Sequence, residues 1–191
     1  VVAVCEKNTA RVRENVTINR GTAAKGRTIV GNKNLLMEGV HVAHDTIVGN
    51  ECILGNQTKL AGEVIVDDFA ILSSTVLVHQ FCRIGAHAMV GGGSLVSKDI
   101  PPYVKAAHLP VSFVGANFLG LRRRGFTSTQ IEEIQNIFRV LFQSGHSYGK
   151  AVELVEEQFP QSELRDEILD FIRSSKRGIL KPYNPKATSE E

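Results

Sequence analysis

The chain of 191 residues carries a formal charge of +2, with 42% hydrophobic, 22% charged and 6% aromatic residues, 17 glycines and no Trp. That apolar content with so little net charge excludes a disordered chain, and the glycine share is far too low for a collagen-like one. With 50 Val, Ile and Leu against 12 Phe and Tyr, the core has to be aliphatic, and a glycine-rich, aromatic-poor chain points first to a short repeat.

In chain order, the sequence opens without Met in the apolar run Val1-Val2-Ala3-Val4, and residues 1–29 carry +4. Aliphatics recur every six residues at Val12 and Ile18, while Glu6 breaks the pattern. Residues 20–28 read as an excursion loop. From Val30 the period is strict: Val30, Leu36, Val42, Val48, Leu54, Leu60, Val66, Leu72, Val78, Ile84, Val90 and Val96. A random register would give about three aliphatics in twelve. A period of six predicts an all-β parallel β-helix over residues 1–101, with three six-residue sides per coil; that it is left-handed is a family expectation, which the period itself does not derive. The small residues after the aliphatic, such as Gly31, Gly49, Gly55 and Gly85, are expected to ease the corners. Because a solenoid needs a cap at each end, N-terminal coils are expected to be missing here.

Pro101-Pro102 is expected to stop the period. Residues 102–126 read as an irregular connecting segment, and 127–180 as a small C-terminal α-helical domain. Thr127-x-x-Gln130 is a capping box for a helix over 128–143, with Ile131, Ile134, Phe138, Leu141 and Phe142 at helical spacing. A second helix covers 148–158. Ser162 caps a third, ended by Gly178. Residues 181–191 read as a disordered tail.

Coils of 18 residues place His44, Gly62 and Gln80 in one column, and Asp45, Glu63 and Phe81 in the next. His41 and His79 fall beside them, so His41, His44, Asp45, His79 and Gln80 can gather on one outer strip. A neutral imidazole with a carboxylate neighbour suits general-base chemistry, and the Gly62 N–H could hold an oxyanion. Against this stands the plain reading of a solenoid wall that turns its polar residues outward. Cys52 and Cys82 occupy inward small positions and read as packing. With Cys5 they form no CxxC, so neither a disulfide framework nor a zinc ribbon is indicated. Arg122-Arg123-Arg124 reads equally as a solvated turn or a diphosphate site. No segment is basic enough for a nucleic-acid face, and no signal peptide or apolar run of eighteen residues is present. A cytoplasmic protein with no integral membrane segment is expected.

Several stretches resemble the acyl-ACP:UDP-N-acetylglucosamine O-acyltransferase family of lipid A biosynthesis. They are Arg13-Glu-Asn-Val-Thr-Ile-Asn-Arg-Gly-Thr22, His41-Val-Ala-His44-Asp45, Val78-His-Gln-Phe81, Ile84-Gly-Ala-His87, Pro101-Pro-Tyr103 and Gly120-Leu-Arg-Arg-Arg-Gly-Phe126. The resemblance implies a homotrimer with active sites between subunits. It implies transfer of a (3-hydroxy)acyl chain from acyl carrier protein to the 3-hydroxyl of UDP-N-acetylglucosamine. No cofactor is bound by the protein, and the acyl-phosphopantetheine of the carrier is co-substrate. On this resemblance His44 is the general base, Asp45 its orienting partner and Gly62 the oxyanion amide. His41 and His79, with Gln80 beside them, bind substrate. Asn117, Arg123 and Arg124 hold the uridine diphosphate, and Gly92 ends the acyl groove. Glu63 stands where the family often has His, and Leu119 where it often has Glu.

Other readings remain open from the residues. One is another hexapeptide acyl- or acetyltransferase. A second is a zinc hydratase on the same solenoid, with His41, His79 and His87 as ligands across an interface. A third is a non-catalytic scaffold.

Overall fold

The computed structural model describes residues 2–4 and 10–184. The break expected at Glu6, Cys5 and the tail beyond Asn184 lie outside the described residues.

The chain winds into a three-walled parallel solenoid. Its strands are β1 (Val2–Val4), β2 (Arg11–Val12), β3 (Thr17–Ile18), β4 (Thr28–Val30), β5 (Leu35–Leu36), β6 (His41–Val42), β7 (Ile47–Val48) and β8 (Ile53–Leu54). They continue as β9 (Lys59–Leu60), β10 (Ile65–Val66), β11 (Ile71–Leu72), β12 (Leu77–Val78), β13 (Arg83–Ile84), β14 (Met89–Val90) and β15 (Leu95–Val96). Every third strand stacks in register. The first wall is β1-β4-β7-β10-β13, the second β2-β5-β8-β11-β14 and the third β3-β6-β9-β12-β15.

The period of six has a direct cause. In each two-residue strand the second side chain points inward, and from Leu36 to Val96 these aliphatics are essentially fully buried. The other inward position takes Cys52, Val64, Ala70, Val76, Cys82 or Ala88, all sealed from solvent. Burial pushes the Cys52 thiol up to about 12 and the Cys82 thiol up to about 11, so both pack as small apolar groups. Each inward aliphatic contributes about 1.5–3 kcal/mol of burial.

The corners correct one expectation. The left-handed backbone falls three residues after the aliphatic, and it is carried mostly by side-chain-bearing residues: Lys33, Asp45, Glu51, Gln57, Glu63, Phe69, Thr75, Phe81 and His87. The small residue straight after the aliphatic answers to close approach instead. A Cβ on Gly31 would lie 2.4 Å from the Gly49 carbonyl oxygen of the next coil.

The excursion loop is pinched off at its neck. A Cβ on Gly21 would sit 2.1 Å from the Arg27 nitrogen, and the Gly26 N–H closes a turn onto the Thr22 carbonyl at 2.7 Å. Across the loop the partners in the second and third walls lie 24 residues apart, as in Thr17 opposite His41, whereas Val2 of the first wall lies 26 from its partner Thr28; above the loop they lie 18 apart, as in Ile29 opposite Ile47. The insertion is therefore one repeat long, which is why the count of six runs through it undisturbed.

Pro101-Pro102 does not end the solenoid. Tyr103 makes one more left-handed corner, and β16 (Val104–Ala107) stacks parallel on β14. The imide nitrogen of Pro101 stands where the equivalent Gly85 N–H donates to the Ile100 carbonyl of the next coil. A proline is tolerated there because no further coil offers an acceptor. The segment expected to be irregular over 102–126 holds β16, its antiparallel partner β17 (Ser112–Ala116) and the short helix α1 (Phe118–Arg123). Sequence patterning missed them because the prolines read as a breaker.

Helices α2 (Ser128–Gln143) and α3 (Tyr148–Gln158) follow the expected spans, α4 (Glu163–Ser174) starts after Ser162 as expected, and the Thr127–Gln130 capping box is present. Gly178 does not end the last helix, which stops at Ser174. It lies in a left-handed turn whose carbonyl accepts from the Asp99 N–H. Residues 178–180 thereby cover the free edge of the first wall. The start of the expected tail is corrected, because β18 (Lys181–Pro182) pairs with Ser112–Phe113.

Candidate active site

The corner between the third and first walls gathers six residues that the sequence singles out. His44 and Asp45 sit at the turn after β6. The His44 Nδ1 lies 2.9 Å from Asp45 Oδ2, with the imidazole 40% exposed and the carboxylate 1% exposed. Directly above is Gly62, where a Cβ would fall 2.6 Å from the His44 Nε2. The ring can lie flat over that coil only because residue 62 has no side chain. The Gly62 carbonyl accepts from the Phe81 N–H, while its own N–H makes no hydrogen bond among the described residues.

Around this pair, His41 Nδ1 meets the Thr17 hydroxyl at 2.7 Å, and His79 Nδ1 donates to the Gln80 carbonyl at 3.0 Å. Gln80 is half-buried and His79 exposed. Glu63 pairs with Lys25 of the excursion loop at 3.6 Å.

Two threonines that sequence reasoning missed complete the corner. The Thr22 N–H donates to Asp45 Oδ1 at 2.9 Å, and its hydroxyl to Asp45 Oδ2 at 2.7 Å. The buried Thr28 hydroxyl accepts from the Asp45 N–H at 2.9 Å. Burial works against the charge on Asp45, but the Thr22 donors and the His44 ring outweigh it, holding the carboxyl below the ordinary aspartate range. An ionised Asp45 accepts, so Nδ1 of His44 is the donor, and in the neutral ring this leaves the lone pair on Nε2. A base with a fixed tautomer is what proton abstraction requires.

The remaining predicted residues lie on other edges. At the corner between the first and second walls, His87 stacks between Phe69 (ring centroids 4.6 Å apart) and Tyr103 (5.8 Å), with Phe126 edge-on at 5.0 Å. Arg124 reaches His87 Nδ1 at 3.5 Å and lies 5.4 Å over the Phe69 ring. Burial, then the Arg124 charge, lowers His87 to about 4, so this ring is neutral and accepts from the guanidinium. Arg123 is exposed in the last turn of α1. Asn117 is buried there with its amide engaged: Oδ1 caps α1 through the Gly120 N–H, and Nδ2 donates to the His87 carbonyl at 3.0 Å. Gly92 lies exposed at the third corner, where a Cβ would meet the Ser74 carbonyl oxygen at 3.2 Å. A single chain therefore assembles the His44 group but does not bring it together with Asn117, Arg123 and Arg124, or with Gly92.

No helix among the described residues is long and apolar enough to cross a membrane.

Known proteins resemble the chain in both halves. Residues 99–180 match the family profile described as UDP N-acetylglucosamine O-acyltransferase, domain 2, and residues 27–62 match that of the bacterial transferase hexapeptide. The acyl-[acyl-carrier-protein]–UDP-N-acetylglucosamine O-acyltransferase of Pseudomonas aeruginosa strain PAO1 is 45% identical over 174 residues, covering 89% of this chain and 66% of the relative. The chain thus spans about two thirds of the length of the curated relatives it matches. A UDP-N-acetylglucosamine acyltransferase from Bacteroides fragilis superposes with a TM-score of 0.87 at 56% identity, over 92% of this chain and 71% of that one. The enzyme of Francisella novicida gives 0.90 at 39%, over 98% and 68%. With a match of this depth running through solenoid and helices alike, the chain belongs to the UDP-N-acetylglucosamine O-acyltransferase family.

Proposed function

We propose that the chain transfers an acyl group from the thioester of acyl carrier protein to the 3-hydroxyl of UDP-N-acetylglucosamine, the first step of lipid A biosynthesis. The observation that carries the mechanism is the His44–Asp45 pair lying over Gly62. His44 Nε2 takes the proton of the sugar hydroxyl as the oxygen attacks the thioester carbonyl, and the Gly62 N–H faces the oxygen on which charge develops. The C–S bond then breaks, the His44 imidazolium returns the proton to the departing sulfur, and the carrier leaves as its free thiol. The thioester is activated already, so the reaction asks for no resident cofactor; the acyl-phosphopantetheine arrives as co-substrate. His41, His79 and Gln80 line the sugar side.

On this reading the working unit is a homotrimer. The diphosphate-holding Arg123 and Arg124, with Asn117 building the platform under them, sit on a different edge from His44. So does Gly92, the floor of the acyl groove. Packing copies of the prism side by side is the way to bring three edges to one site. A nucleotide sugar and a carrier-borne acyl chain as substrates place the reaction in the cytoplasm. The zinc reading draws no support from the geometry, since His87 is caged by aromatic rings with a guanidinium at its Nδ1.

The test is acyl transfer to UDP-N-acetylglucosamine by the wild-type chain and His44→Ala, with acyl carrier protein and with acetyl-CoA as donor. The expected result is a loss on the order of 100-fold or more in kcat for the variant, with the carrier as preferred donor. Equal rates in the two proteins would remove the base from His44.

A further inference from the structure

We propose that Thr22 is a positioning residue for the His44–Asp45 pair, and that the excursion loop acts as its clamp. The inference deepens the reading of His44 as base and rests on it.

Three hydrogen bonds converge on the Asp45 carboxylate. Oδ2 accepts from both His44 Nδ1 and the Thr22 hydroxyl, and Oδ1 accepts from the Thr22 N–H. With 1% of its side chain exposed, Asp45 is shielded from the bulk solvent that could otherwise replace a lost donor. The Asp45 backbone is in the left-handed region, φ 60°, and the Thr28 hydroxyl holds its N–H there. Thr22 lies just inside the pinched neck and Thr28, the first residue of β4, just outside it, so the loop supplies one contact and the strand it returns to supplies the other. Lys25 ties the same loop to Glu63 one coil higher.

The chemistry follows from what a lone imidazole does. Unassisted, neutral His favours the Nε2–H tautomer, which has no lone pair at Nε2 to take a proton. A carboxylate fixed at Nδ1 reverses that preference. Burial alone would favour a protonated, freely turning Asp45 carboxyl. The Thr22 donors keep it charged and point Oδ2 at the ring. Thr22 touches no substrate in this arrangement; it acts through Asp45.

The experiment uses the full chain. Thr22→Val, Thr22→Ala and Thr22→Ser are compared with wild type by long-range 1H–15N spectra of the histidine rings, with His44→Ala assigning the His44 signals. Wild type and Thr22→Ser should show His44 as the Nδ1–H tautomer. Thr22→Val and Thr22→Ala should raise the Nε2–H share several-fold, with His41 and His79 unmoved. In acyl transfer the same two variants should lose about tenfold in kcat at unchanged KM for UDP-N-acetylglucosamine, on the usual worth of one hydrogen bond to a charged group. Thermal unfolding identifies the folded variants. An unchanged His44 tautomer in a folded Thr22→Val or Thr22→Ala protein overturns the clamp. So does failure of both to fold while Thr22→Ser folds, which would make the role structural. If His44→Ala keeps full activity, the base reading fails by itself, and the tautomer spectra still decide the clamp.

Discussion

At the scale of single residues, the His44 corner depends on what is absent as much as on what is present. Gly62 leaves the volume that the imidazole fills, and an added methyl would lie 2.5 Å from the ring Cε1. Gly62→Ala should push the ring off the coil and separate Nε2 from the Gly62 N–H, the proposed oxyanion donor. We expect a kcat loss on the order of 100-fold, the usual cost of losing an oxyanion donor or a base. The unfolding temperature should move little, since the exposed ring can swing outward. Steady-state kinetics beside thermal unfolding would check this; a Gly62→Ala protein with wild-type kcat would contradict it. His44, Asp45 and Gly62 were readable in the sequence because a strict period turns residue numbers into positions on a surface. Thr22 was not readable, because its contact with Asp45 crosses an insertion that is itself one repeat long.

At the scale of elements, α4 docks on the solenoid through a partly buried polar seam. The Tyr103 hydroxyl donates to Glu167, Arg83 lies 4.4 Å over the Phe171 ring, and its Nη1 donates to Ser174 Oγ at 3.0 Å. Burial raises the Glu167 carboxyl above its ordinary range, with the Tyr103 hydroxyl opposing. A folded state that holds this proton more firmly than the unfolded chain loses stability as pH climbs from the ordinary glutamate value through the raised one. Glu167→Gln removes that charge and keeps an acceptor for Tyr103. Unfolding temperatures measured across this pH range should therefore fall less with rising pH in Glu167→Gln than in wild type. Parallel curves would show that Glu167 does not titrate in the fold. The three helices were legible from caps and spacing. The β16–β17 hairpin and α1 were not, because Pro101-Pro102 marks the last coil's edge and reads, in sequence, like an ordinary stop.

At the scale of the molecule, the outer face of the third wall turns from polar to apolar along its length. Above Thr17, His41 and Lys59 in the same column stand Leu77 and Leu95, each 46% exposed, and Phe81 at 49% lies at the adjoining corner. Such a stripe fits contact between copies of the chain. Leu77→Glu with Leu95→Glu should leave the solenoid folded, since neither side chain enters the prism. If the proposed trimer forms through this stripe, the double variant should lower the solution mass from trimer to monomer and abolish acyl transfer with it. Light scattering of wild type and variant decides this; a monomeric, active wild type would end the shared-site reading. That the edges carrying His44 and Gly92 differ was implicit in the repeat, since 18 residues make one coil and six make one side; the edge carrying Arg124 was not, because that residue follows α1 outside the repeat. Which edges meet depends on a second chain, and periodicity within one chain carries no information about that.

The pinched neck at Gly21 and Arg27 has a consequence for how such a molecule can change. Because the two ends of the excursion touch, the coil beneath closes as though nothing had been inserted. Residues 22–26 form an appendage whose length and composition are decoupled from the winding of the prism. The scaffold can stay fixed while the loop is exchanged, so the tuning of the base can be revised by substitution or insertion at one corner without re-solving the packing of the core.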